Sequence, residues 1–136
     1  MNIIYTDDSS FWVHWKDLSN SARYQHPLFS ENGLSYYVEY FLKNSDFKDK
    51  SFILLENSLP LIGVIMTLVT KDGQNSLSGY GREINYIENC QENLDGLKGA
   101  RKKFKKIFNK LCHDNNVNLI RFRDYSSING TISYFG

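Results

Sequence analysis

The stretch Asp95-Gly96-Leu97-Lys98-Gly99-Ala100-Arg101-Lys102-Lys103 joins two glycines to a run of cations where an amphipathic pattern begins. Glycine lets a backbone approach a ligand closely, and a helix start directs free N–H groups and partial positive charge outwards. Gly96, Leu97, Lys98, Gly99 and Arg101 are therefore candidate contacts for a phosphate-bearing cofactor. Glu88, Glu92 and Asp95 stand in the same neighbourhood. They repel an anion and suit the helix dipole, so ordinary capping is the competing reading. Tyr80, Arg82 and Tyr86 follow the end of an apolar strand, where open sheets place ligand contacts. They are candidate substrate contacts, although tyrosines also fill aromatic cores.

Other chemistry has less support. His14, His26 and His113 are far apart and lack metal-ligand spacing, so no metal site is expected. Cys90 and Cys112 form no CxxC pair and are expected to be reduced, buried residues. Ser76-Leu77-Ser78-Gly79 is not a nucleophile elbow, and no catalytic residue or general base is identified. Lys98, Arg101, Lys102, Lys103, Lys105, Lys106 and Lys110 could meet nucleic acid. Phe104, Ile107 and Phe108 between them fit a buried face rather than base stacking, so a solvated basic face is the commoner meaning and nucleic acid ranks last.

These residues need elements to hold them. Asn2–Thr6 reads as an edge strand, and Asp7-Asp8-Ser9-Ser10 caps a helix from Phe11 to about Ala22. Pro27 breaks the chain before a second helix from Ser30, with Leu34, Tyr37, Val38, Phe41 and Leu42 on one face. Ser51–Glu56 and Leu61–Thr70 read as strands joined by Asn57-Ser58-Leu59-Pro60, and Asp72-Gly73 turns into a third near Ser76–Tyr80. Gly79 to Asn93 reads as irregular. The basic helix is expected over Leu94–Cys112, with Leu97, Ala100, Phe104, Ile107, Phe108 and Leu111 facing inward. Val117–Arg123 is a strand which, after a helical crossover, would run parallel to an earlier one. The expected fold is α/β (α+β): a mixed, mainly antiparallel sheet with three helices in the order β-α-α-β-β-β-α-β.

With 136 residues, 41% of them hydrophobic, the chain reads as one domain with a substantial core. Its net charge of +1 hides a division. Residues 1–97 carry 7 Lys/Arg against 13 Asp/Glu, and residues 98–136 carry 9 against 2. Such polarity favours an anionic partner or the acidic face of a second copy. The N-terminus lacks a signal-peptide pattern, and the apolar run Leu59–Val69 falls short of the roughly 20 residues of a membrane span. A cytoplasmic location follows as the expectation.

The element order resembles the first two-thirds of the GCN5-related acetyltransferase (GNAT) fold. The wording is similar to the N-terminal half of FemAB-like aminoacyl/acyltransferases. It is carried by His26-Pro27-Leu28-Phe29-Ser30, Ser51-Phe52-Ile53-Leu54-Leu55-Glu56, Pro60-Leu61-Ile62-Gly63-Val64 and Leu77-Ser78-Gly79-Tyr80-Gly81. The resemblance implies an acyl- or aminoacyl-transferase-like domain spanning residues 1–136, an incomplete unit lacking the last two strands. It implies an acyl-CoA or aminoacyl donor at Gly96–Arg101, with Tyr80, Arg82 and Tyr86 on the acceptor side. Neither glycine matches the Arg/Gln-x-x-Gly-x-Gly/Ala signature of acetyl-CoA-binding members. The alternative is a non-catalytic interaction module, a homodimer or the complement of another protein half, docking through an incomplete sheet.

Overall fold

The computed structural model describes residues 1–21, 46–79, 84–90, 96–120 and 122–124. Its elements are β1 (Asn2–Tyr5), α1 (Phe11–Ser21), β2 (Phe47–Asp49), β3 (Phe52–Glu56), β4 (Leu59–Ile65), β5 (Thr67–Lys71), β6 (Gln74–Ser78), β7 (Ile84–Glu88), α2 (Gly96–Asp114), β8 (Val117–Ile120) and β9 (Phe122–Asp124). The second helix expected from Ser30 lies outside the described residues. The protein is thus mixed α+β, with two helices among the residues described.

The strands form two sheets, ordered β1-β3-β4-β7-β9 and β2-β5-β6-β8. β1, β3, β4 and β7 pair antiparallel in succession. After α2 crosses back, β8 runs parallel to β6 and β9 parallel to β7. The two sheets diverge at Ser51 and Met66. Ser51 separates β3 from the Asp49 end of β2, and Met66 separates β4 from β5. There the Ser51 hydroxyl receives the Met66 N–H at 3.0 Å and donates to the Met66 carbonyl at 3.3 Å. A side chain thus replaces a rung of the ladder, so the sheet can turn without leaving buried backbone groups unpaired.

Strand alternation sends side chains to two layers. Ile53 and Leu55 join Phe11, Trp15 and Leu18 of α1, whereas Phe52 and Leu54 join Ala100, Phe104 and Phe108 of α2. Leu61 lies in the α2 layer beside Ile62 because the register slips where Leu54 faces Ile62 but Leu55 faces Pro60. This bulge also accommodates a proline within a strand. Gly63 lets α1 approach: a methyl there would meet the Trp15 ring and Leu18 Cδ1 at 2.8 Å.

Local chemistry accounts for the ends. Asp8 Oδ1 accepts from the Ser10 N–H at 2.8 Å and its hydroxyl at 2.7 Å just before α1. These bonds hold the Asp8 carboxyl below the usual range, the hydroxyl contributing most. Asn57-Ser58 and Asp72-Gly73 all have positive φ, as two-residue hairpin turns of the right twist require. The first loop is therefore shorter than the four residues expected, and β4 starts at Leu59.

Three readings need correction. The one mixed sheet expected is two, because the run Leu61–Thr70 divides at Met66 into β4 and β5 and the run Val117–Arg123 divides into β8 and β9, the members of each pair lying in different sheets. The segment read as irregular contains β7, all five of whose residues are buried. Polar Asn85 and Glu88 break its apolar pattern and hid it. Cys90 and Cys112 are half-buried rather than core residues.

Candidate functional site

The region singled out by sequence lies where β7 leads towards α2. Residues 84, 86 and 88 point to the α2 face because strand side chains alternate. Ile84 and Tyr86 accordingly belong to the layer under α2. Tyr86 is fully buried, and its ring packs edge-on against Phe104 at 4.8 Å between centroids. Its hydroxyl donates to Glu88 Oε2 at 2.6 Å.

Arg101, on the second turn of α2, closes the arrangement. Its Nε donates to Glu88 Oε2 at 2.7 Å and Nη2 to Oε1 at 2.8 Å. The two-pronged bond is the strongest form of this pairing, and it fixes α2 on the end of β7. The Glu88 side chain is only 10% exposed against 48% for Arg101. The carboxylate therefore sits inside, with the guanidinium covering it.

Gly96 opens the helix against β3. A methyl on it would collide with the carboxylate of Glu56, so the missing side chain makes room for that acid. Gly99 differs, with nothing within 4 Å of an added Cβ. Lys98 and Lys102 are exposed, four residues apart on the outer face. On the other side of the sheet, Asp17, Asn20 and Ser21 of α1 face Leu59, Pro60 and Asn89 across a recess of about 320 Å³.

Gly96, Leu97, Lys98, Gly99 and Arg101 thus share the first turns of α2, and Tyr86 lies beneath them rather than on an open surface. Tyr80 and Arg82 lie outside the described residues. Glu88 was legible as an acid near the helix start, but its bonds to Tyr86 and Arg101 were not. Glu56 was missed, since forty residues separate it from Gly96. Its position at the end of a strand beside a turn was the only available signal.

Elsewhere on α2, Phe104 packs on Phe52 and Phe108, each at 5.7 Å. Lys110 bonds Asp114 at 2.9 Å and holds that carboxyl below its usual range. Burial raises the thiol of Cys112. Among the described residues, no group of three or more His, Cys, Asp or Glu could hold a metal ion, and no helix is long and apolar enough to cross a membrane. No family model, curated protein or solved structure matches the chain.

Proposed function

We propose that the chain is an acyl- or aminoacyl-transferase-like domain whose donor is held where β7 runs into α2. The observation that supports this reading is the strand arrangement: four antiparallel strands, β1-β3-β4-β7, extended by a parallel strand that α2 delivers. A meander followed by a cofactor-binding helix and a further strand is the arrangement expected of the GCN5-related fold. Transfer to an amine would then proceed by positioning and by polarising the acyl carbonyl. Glu56 and Glu88 fill the sheet side of the helix start, so the donor's phosphates run along the outer side past Lys98 and Lys102. Calorimetric titration with acetyl-CoA tests the reading. Saturable binding weakened by Lys98→Glu is expected, and no binding at about 1 mM, roughly 4 kcal/mol of affinity, would remove it.

A second reading, an interaction module without catalysis, is favoured by β8. Among the described residues β8 ends its sheet, and it carries Leu119 and Ile120 at 51% and 43% exposure. Exposed apolar side chains on such a strand invite a second copy. Sedimentation at several concentrations should then show association that Leu119→Lys weakens. A concentration-independent monomer would reject it.

A further inference from the structure

A cavity of about 530 Å³ lies away from the helix start, at the place where the two sheets diverge. Its cause is structural. The chain breaks its ladder at Ser51 and Met66, and α2 bridges the gap with Ile107 and Leu111. Its volume is within the approximately 300–1,000 Å³ of small-molecule sites.

The lining has two halves. Phe52, Met66, Ile107 and Leu111 make one wall apolar. The other wall carries Asp7, Asp49 and Lys50, and these charges differ in how they are held. Asp49 is committed to the scaffold: one carboxylate oxygen accepts the Thr6 hydroxyl and the other accepts the Ser51 N–H at 3.1 Å. The Asp8 N–H donates to the Tyr5 carbonyl at 3.0 Å, which closes a turn with Thr6 and Asp7 at its tip. Asp49 therefore pins the turn that brings Asp7 to the cavity. Lys50 is placed by its backbone, whose N–H donates to the Met66 carbonyl at 2.9 Å. Among the described residues, neither the exposed Asp7 carboxylate nor the half-buried Lys50 ammonium has a hydrogen bond or ion pair. One unpaired acid, one unpaired cation and an apolar wall thus border the same space.

We propose that this cavity binds a zwitterionic amino acid with an apolar side chain. Its carboxylate meets Lys50, its ammonium meets Asp7, and its side chain lies against Met66, Ile107 and Leu111. The inference is independent of the transferase reading, because it uses none of that site's residues. The lining selects for the three groups together. A simple amine brings a like charge to Lys50, a simple acid brings one to Asp7, and a small polar zwitterion gains nothing from the wall.

The test is a nitrogen-15 NMR titration of the full chain with four probes: L-phenylalanine, 2-phenylethylamine, 3-phenylpropanoate and glycine. The amine lacks only the carboxylate, 3-phenylpropanoate lacks only the ammonium, and glycine lacks the apolar body. Phenylalanine should saturate with shifts centred on residues 5–7, 49–52, 66 and 107–111. It should bind about tenfold more tightly than either singly charged analogue, a difference of about 1.4 kcal/mol, and glycine should be weakest. Lys50→Gln should remove the preference over the amine and keep the preference over 3-phenylpropanoate. Asp7→Asn should do the converse. Neither side chain holds another part of the fold, so both variants should keep the native spectral dispersion, and either one alone tests its half of the assignment. Leu111→Trp should weaken all four by narrowing the cavity. A singly charged analogue or glycine binding as tightly as phenylalanine, a preference unmoved by its variant, or no saturation by phenylalanine would overturn the proposal.

Discussion

The two ends of α2 meet the sheet in opposite ways. At its start, Glu56 lies against Gly96, and Glu88 takes two bonds from Arg101 and one from Tyr86. Towards its end, Ile107 and Leu111 border a cavity whose carboxylate, Asp49, belongs to another part of the chain. Along the sequence the helix looks uniform, with lysines on one face and apolar residues on the other. The difference comes from what lies beneath. β7 supplies an acid below the first turns, whereas the sheet parts below the last ones. One end of the basic helix therefore meets acids carried by the sheet, and the other borders a cavity.

The largest effect is expected between the two ends. Phe104 contacts Phe52, Tyr86 and Phe108, so Phe104→Ala should cost about 3–5 kcal/mol and loosen both regions together. Urea unfolding reads the loss. A cost below 1 kcal/mol, on the scale of about 0.8 per buried methylene, would mean that α2 is not anchored there.

Glu88→Ala separates the ends. It leaves the Tyr86 hydroxyl buried without this acceptor and releases Arg101, which should cost about 2 kcal/mol. Arg101→Met should cost less, because Glu88 keeps Tyr86 and gains access to water. If the order reversed, the guanidinium rather than the buried acid would be the centre of the closed end.

Gly99→Ala sharpens the contrast from the other direction. The site is open and helical, so the change should stabilise by about 0.5–1 kcal/mol. A loss on thermal melting would show that a neighbour approaches Gly99 after all.

The smallest effect concerns acid. Asp114 is held low chiefly by the hydrogen bond from Lys110. A depressed carboxyl contributes stability that is present above its unfolded pKa and lost as pH falls through the lower folded one. Asp114→Asn should therefore change the melting temperature slightly at neutral pH, and the change should shrink as the pH falls below the ordinary carboxylate range of about 4. A change that stays the same as the solution is acidified would assign the effect to something other than charge.

Much of this scaffold was legible in the residues. Phe11, Trp15 and Leu18 recur at helical spacing and are all fully buried in α1. Ala100, Phe104 and Phe108 do the same in α2, and Asp72-Gly73 marks its turn. Periodicity works here because each helix buries one face. It fails for β7, which is buried on both faces and has no alternation to read, and for β2, whose Phe47-Lys48-Asp49 is too short to show a pattern. Of the candidate site, the shared placement of Gly96–Arg101 was readable from adjacency. The engagement of Arg101 and the burial of Tyr86 were not, since neither depends on neighbours in sequence.

By itself, then, the sequence determined the inward faces of α1 and α2, the hairpin turns and the separation of charge between the chain's two parts. These are local: they depend on side-chain period, φ preference and composition. Tertiary structure alone decided which charges meet. Glu88 reaches Arg101 only because β7 lies beneath α2, and Thr6 reaches Asp49 only because β1 ends beside the β2–β3 junction. Charge pairing acts across a few ångströms of space, and sequence distance is no guide to it.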